Sequence, residues 1–293
     1  PGSSPVYWAN GLMAQRMEEY LAAHNYDVVI MPHLFPAEIL TFLKRRAKRV
    51  PKTVFIATDY SCIPFTEETD CDRYVIPSDL LKNDFIRRGI PEEKLLPLGI
   101  PVSRDFSRAL SQAEAKAFLS LDPELKYILL SGGSMGAGGM AQTVKRLSEE
   151  LKKQPGWGLI VICGSNNRLY GQLSELYSRS SRIKLVKRTP YMAWYLKACD
   201  VFITKPGGLS STEAAVSGVP IIHVSPIPGC ESINMRFFTE HNMSLDGGKE
   251  PEQLLKALDQ ALQKETAENI ISSQSNIINK NAASQICAAL NEL

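Results

Sequence analysis

The chain has 293 residues, 44% of them hydrophobic and 22% charged, with a formal net charge of +2. That balance fits a globular chain with a real core and is too mild to argue for a nucleic-acid partner. No apolar run reaches the roughly 18 residues of a membrane-spanning helix, no secretory leader is recognisable, and the six cysteines form no CxxC pair, so buried thiols in a reducing cytoplasm are expected.

Residues 11–24 place Leu12, Met13, Met17, Tyr20 and Leu21 on one helical stripe. Residues 26–31 read as a strand, with His33 just beyond its end. Pro36 opens a helix that closes on a basic cluster, Lys44, Arg45, Arg46, Lys48 and Arg49. Such a cluster either complements the helix dipole or meets anionic lipid headgroups. Residues 53–57 form the next strand and deliver Thr58-Asp59-Tyr60 at its C-terminal end. A short strand over 73–76, a helix over 79–88 opened by Ser78, and a strand over 94–98 follow. Strands alternating with helices predict a parallel, doubly wound sheet. Residues 99–107 read as a crossing into a second unit.

The second unit repeats the alternation. A strand over 126–130 runs into the loop SGGSMGAGGM, residues 131–140. A helix over 141–153, a strand over 159–163, a helix over 168–180, a strand over 183–186 and a helix over 191–199 come next. Residues 201–204 are a β-branched and aromatic strand, broken by Pro206-Gly207-Gly208. Ser210 stands three residues before Glu213, the spacing of a capping box, so a helix is expected to start there. Gly218 and Pro220 stop it, and 221–224 is the next strand. Residues 225–231 read as a loop. A helix over 251–264 and a polar tail over 266–293 close the chain.

Two glycine-rich loops, 131–138 and 206–211, follow strands of one sheet. Their backbone N–H groups and a helix N-terminus suit a diphosphate. No Gly-Lys-Ser/Thr follows the first, so it is no Walker loop. Gly136-x-Gly138-x-x-Ala141 matches a degenerate dinucleotide fingerprint, but Cys163-Gly164-Ser165 supplies no acidic group for a ribose. Glu213 either caps its own helix or accepts from ribose hydroxyls. Glu231 is either an exposed loop charge or addresses sugar hydroxyls. Asp59 is either a turn residue or orients an acceptor hydroxyl, and His33 is either structural or a base.

In TDY (58–60), PSDLLKNDFIRRGIPEEKLLPLGIPV (77–102), LLSGGSMG (129–136), VICG (161–164) and TKPGGLSSTEA, GVPII and PIPGCESIN (within 204–234), the chain resembles the bacterial processive diacylglycerol glucosyltransferases and plant monogalactosyldiacylglycerol synthases. The lipid-linked N-acetylglucosaminyltransferase of peptidoglycan synthesis is more distantly similar. The resemblance implies an α/β GT-B fold of two Rossmann-like domains. Residues 1–104 would form the lipid-acceptor domain and 105–293 the UDP-sugar domain, with the last helix a candidate to return to the first. It implies inverting transfer of a hexose, glucose or galactose, from UDP-hexose to a diacylglycerol-type lipid. No metal and no cofactor would take part, and the enzyme would lie on the cytoplasmic face of the membrane.

Carried over residue by residue, Gly207, Gly208, Leu209 and Ser210 would hold the diphosphate and Glu213 the ribose. Gly133, Ser134 and Gly136 would cradle phosphate from the other loop. Glu231 and Asn234 would bind the hexose, and Arg188 and Thr189 the uracil. Members of the family open with a Gly-Gly-His loop that this sequence lacks, so the first strand–loop–helix of the acceptor domain, with the expected base, is absent. Asp59 and then His33 are the remaining catalytic candidates. The family arginine after Gly-x-Pro-Val is Ser103 here, followed by Arg104. A UDP-binding but inactive fragment and an NAD-linked oxidoreductase are the alternative readings.

Overall fold

The computed structural model describes residues 4–133, 136 and 139–293. It divides into two compact units, Pro1–Pro101 with Asn279–Leu293, and Val102–Ile278.

Unit 1 opens with α1 (Pro5–Gly11) and α2 (Ala14–Ala23). The Ser4 hydroxyl caps α1 by accepting the Tyr7 N–H at 3.1 Å. The sheet is built from β1 (Val28–Met31), β2 (Lys52–Ile56), β3 (Arg73–Val75) and β4 (Leu95–Leu96). All four strands are parallel, in the order β1-β2-β3-β4. Between β1 and β2 runs α3 (Leu34–Arg45). It starts before Pro36 because His33 is its N-cap, Nδ1 accepting the Phe35 N–H at 3.3 Å. Pro36 then falls in the first turn, where its missing N–H breaks no helical bond. A 3-10 turn capped by Ser78 leads into α4 (Lys82–Arg87).

Unit 2 begins with α5 (Arg104–Ser107) and α6 (Gln112–Phe118). The second carries a capping box, Ser111 with Glu114, that the sequence reading passed over. Then β5 (Lys126–Ser131), α7 (Met140–Lys153), β6 (Trp157–Ile162), α8 (Asn167–Tyr177), β7 (Ile183–Val186) and α9 (Met192–Ala198) alternate. They are followed by β8 (Val201–Thr204), α10 (Gly208–Ser217), β9 (Ile221–His223), α11 (Cys230–Glu240) and β10 (Leu245–Asp246). Two helices, α12 (Pro251–Ala261) and α13 (Lys264–Ile277), finish the unit.

The sheet of unit 2 is wholly parallel, in the order β10-β9-β8-β5-β6-β7. Leu159, Ile160 and Val161 of β6 are fully buried, as a strand covered on both faces must be. Val144, Leu147 and Leu151 of α7 stand at helical spacing and bury the same core. The chain leads outward from β5 to β6 and β7, then returns to β8 on the other side of β5. This is a six-stranded doubly wound sheet, and its strand order reverses between β5 and β8. Two parallel α/β units, one of four strands and one of six, agree with the expected GT-B class of architecture.

The tail is not one element. It is α13, then α14 (Ala282–Leu290), which belongs to unit 1. The side chain of Asn279 donates to the Leu98 carbonyl at 2.7 Å. Ile286 joins Val54, Ile56 and Val75 in the core of unit 1.

Candidate functional site

In open parallel sheets the reversal of strand order leaves a crevice at the carboxyl ends of the two strands that part there. Here those strands are β5 and β8, which are hydrogen-bonded neighbours. The two glycine-rich loops found in the sequence therefore start side by side.

After β8, Gly207 is the N-cap of α10 and offers no side chain to cap it. The first bond into the helix runs from Ser211 N–H to the Gly207 carbonyl at 3.0 Å. The N–H groups of Gly208, Leu209 and Ser210 thus stand outside the helical ladder, as the first turn requires. This corrects the capping box expected from Ser210 and Glu213: the helix starts three residues earlier, and Glu213 lies inside it. The C-terminus is as expected, with Gly218 in the left-handed conformation at φ 69°.

Glu213 is half-buried and has no hydrogen-bond or ion-pair partner among the described residues. Burial pushes its carboxyl up to about 7. Behind it, Ser211 meets Nε2 of His223 at 2.9 Å, and Ser244 meets Nδ1 at 3.0 Å. His223 is fully buried, and burial pushes its imidazole down to about 3, so it acts as a neutral peg between α10 and β9.

After β5, Gly136 adopts φ 56° and its N–H donates to the Gly133 carbonyl at 3.1 Å. A Cβ there would stand 2.2 Å from the Cys163 carbonyl oxygen. Only glycine lets this loop lean so closely on the loop after β6. Asn166 donates to the Gly136 carbonyl at 3.3 Å while its Oδ1 caps α8. Ser134 lies outside the described residues.

The loop after β9 departs most from expectation. Glu231 is not in a loop but in the first turn of α11. Its Oε2 accepts the Ile227 N–H at 2.7 Å and pairs with Lys205 Nζ at 3.1 Å. Lys205 is a buried cation in the β8–α10 loop, one residue before the glycine-rich stretch 206–211. Asn234 is fully buried and donates to the Pro206 carbonyl at 3.1 Å. It therefore braces the loop from beneath, where a direct hexose ligand was expected. Arg188 and Thr189 follow β7; Arg188 is exposed, and the Thr189 hydroxyl accepts the Tyr191 N–H at 3.1 Å. A wider groove of about 900 Å³ runs between α7 and α8 and touches the loop at Gly136 and Gly139, but neither Glu213 nor Glu231 lines it.

In unit 1, His33 and Asp59 line one cavity of about 270 Å³ at the ends of β1 and β2. Ser61 lines it too, and its buried hydroxyl has no partner among the described residues. Because His33 Nδ1 accepts the Phe35 N–H, a neutral ring carries its proton on Nε2. The nitrogen left free on that tautomer is a donor, which sets His33 behind Asp59 as a base.

The basic cluster is not uniform either. Lys44 Nζ is spent on Thr53, Asp72 and the Asp70 carbonyl at 2.9, 2.9 and 3.0 Å, so it is a structural cation. Lys48 pairs with Glu18 at 3.0 Å. Arg45 and Arg46 lie over the rings of Tyr7 and Phe42 at 5.0 and 3.9 Å. Both rings also meet Trp8, which is 57% exposed. Among the described residues no three His, Cys, Asp or Glu side chains group to hold a metal ion, and no helix is long and apolar enough to cross a membrane. Four of the cysteines are buried; Cys230 is half-buried and Cys287 exposed.

Comparison with known proteins agrees with this layout. Residues 2–102 match the monogalactosyldiacylglycerol (MGDG) synthase family, and residues 127–286 match the glycosyltransferase family 28 C-terminal domain. A processive diacylglycerol beta-glucosyltransferase of Bacillus subtilis is 28% identical over 79% of this chain and 59% of its own length. A probable monogalactosyldiacylglycerol synthase 2 of rice is 29% identical over 82% of this chain and 54% of its own. The chain thus spans less than two thirds of the length of these relatives. In fold it is similar to UDP-GlcNAc 2-epimerase from Neisseria meningitidis, with a TM-score of 0.74 at 14% identity, covering 100% of this chain and 84% of that one. The chain belongs to the glycosyltransferase family 28 C-terminal domain family, matched over residues 127–286, has the GT-B class of fold, and matches the MGDG synthase family over residues 2–102.

Proposed function

We propose that unit 2 binds a UDP-hexose and that the enzyme moves its hexose to a diacylglycerol-type lipid. The observation that carries this reading is the uncapped N-terminus of α10 at the β5–β8 reversal, with three N–H groups outside the helical ladder and the half-buried Glu213 further along the same helix. Amides and a helix dipole hold a diphosphate without a metal. An ionised Glu213 accepts two hydroxyls of a ribose. Family membership and a structural neighbour bound to UDP-GlcNAc support the nucleotide class.

On the acceptor side, Asp59 orients or deprotonates the lipid hydroxyl in the cavity it shares with His33 and Ser61. Attack by that hydroxyl on the face opposite the departing UDP inverts the sugar. Arg45, Arg46, Arg49 and the exposed ring of Trp8 hold the protein to the inner face of the membrane. Lys44 takes no part in that contact.

Calorimetry with UDP tests the donor site. Ser210→Ala and Glu213→Ala are expected to weaken binding, and unchanged affinity removes the assignment. Transfer from UDP-glucose or UDP-galactose to diacylglycerol micelles, insensitive to EDTA, tests the reaction. A second reading is favoured by the four-stranded sheet of unit 1: the chain binds UDP and transfers nothing. UDP binding with no turnover selects it.

A further inference from the structure

Lys205 has no role in the reading above, yet it is 10% exposed at its side chain and joins the loop before α10 to the start of α11. It directly follows β8 and stands two residues before Gly207, the N-cap of α10. Its charge is met by Glu231, 23% exposed, on the first turn of α11. Taking two charges out of water costs as much as the pair returns, so such a pair is weak evidence for a stability device. The geometry is also economical in one respect. A single oxygen of Glu231, Oε2, takes both Lys205 and the Ile227 N–H, and Oε1 takes part in neither contact.

A diphosphate at the α10 N-terminus brings about two negative charges to a crevice whose neighbouring helices, α10 and α11, already carry Glu213 and Glu231. The helix end offers about half a positive charge against them. A lysine side chain is a flexible point charge with three donors, able to serve two acceptors.

We propose that Lys205 is the shared cation of this site. In the empty protein it neutralises Glu231. With a nucleoside diphosphate bound, it donates to the distal phosphate, and Glu231 is released to accept from the hydroxyls of the sugar attached there. The ion pair is therefore an exchange device that keeps the sugar-binding carboxylate quiet until a diphosphate arrives. This rests on the donor-site reading, and deepens it by naming the group that reads the second phosphate.

Calorimetric titration of uridine, UDP and UDP-glucose into the wild type, Lys205→Met, Glu231→Gln and the double variant tests it. Lys205→Met is expected to weaken UDP by roughly ten- to a hundred-fold, the worth of one charge-assisted hydrogen bond, and to leave uridine unchanged. The double variant is expected to stay as weak for UDP. Glu231→Gln, which keeps the shape of the side chain and folds even if Lys205→Met does not, is expected to bind UDP as tightly as the wild type or more tightly, and UDP-glucose less tightly. Recovery of UDP affinity in the double variant, or loss of UDP affinity in Glu231→Gln, makes Lys205 a structural counter-ion and overturns the proposal. Equal UDP affinity with and without Lys205 overturns this inference alone; a wild type that takes up no UDP overturns the donor site with it.

Discussion

The two units are built from the same parts and put to different ends. In unit 2 the chain walks out from β5, returns, and walks the other way, leaving a crevice where the order reverses. In unit 1 the strands step in one direction only, β1 to β4, and no reversal occurs among the described residues. The consequence shows in the side chains. At the reversal of unit 2, the loops after β5 and β8 start side by side, and the free amides of α10 stand at the second of them. At the strand ends of unit 1, a small cavity gathers His33, Asp59 and Ser61 from neighbouring segments. A site for a large charged ligand needs the reversal; a site for one hydroxyl does not.

This contrast can be broken in several ways. Core truncation has the largest expected effect. Leu147→Ala in unit 2 and Ile286→Ala in unit 1 should each cost about 2–5 kcal/mol. In denaturant titrations followed by probes in each unit, the first should shift only unit 2 and the second only unit 1, although Ile286 lies near the C-terminus of the chain. UDP at about a hundred times its Kd should stabilise unit 2 by about 2.7 kcal/mol and leave unit 1 unmoved. Equal gains in both would erase the distinction between them.

Proton linkage sharpens the comparison further. The carboxyl of Glu213 titrates at about 7 in the free protein, against 4.5 for an ordinary glutamate. Ribose hydroxyls favour its ionised form, so UDP binding should release a proton below pH 7. Affinity should rise up to about tenfold per pH unit toward 7 and then level. Glu213→Gln should retain only the titration of the ligand itself. In unit 1 the pKa shift runs the other way, although its contribution is likewise lost as pH falls. Burial would raise Asp72, but the Lys44 ammonium and the Thr53 side chain and backbone overcome it and hold the carboxyl at about 2, below its ordinary 3.8. That stability is present above pH 4 and is lost as pH falls toward 2, which acid titration of the Asp72→Asn variant would remove.

Two smaller effects complete the series. Gly136→Ala places a side chain in the left-handed region against the Cys163 carbonyl, a cost of about 1–2 kcal/mol, and should weaken UDP. Asp59→Asn should leave UDP affinity unchanged while abolishing or slowing transfer. A matched loss of both would join the sites that the topology separates.

Much of this was legible in the residues because the chain is well punctuated. Glycine and proline bound α10 on both sides, and the strand 201–204 was located to the residue. The start of α10 was misjudged because a capping-box spacing is only a local signal, and here the N-cap position is a glycine with no side chain to cap the helix. The first turn of α11 was read as loop because Pro228-Gly229 masks it. The Lys205–Glu231 pair joins the loop after β8 to the first turn of α11, and no periodicity announces such a partner. The return of α14 to unit 1 was legible only as a candidate, since its apolar face fits either core.

That return has a consequence for synthesis. The sheet of unit 1 emerges from the ribosome first, but Val54, Ile56 and Val75 are not covered until Ile286 has been made. Unit 2 is continuous in sequence and can close on itself as soon as residue 278 is free. The half translated first is thus finished last, and during that interval its apolar face is open to chaperones and to misassociation.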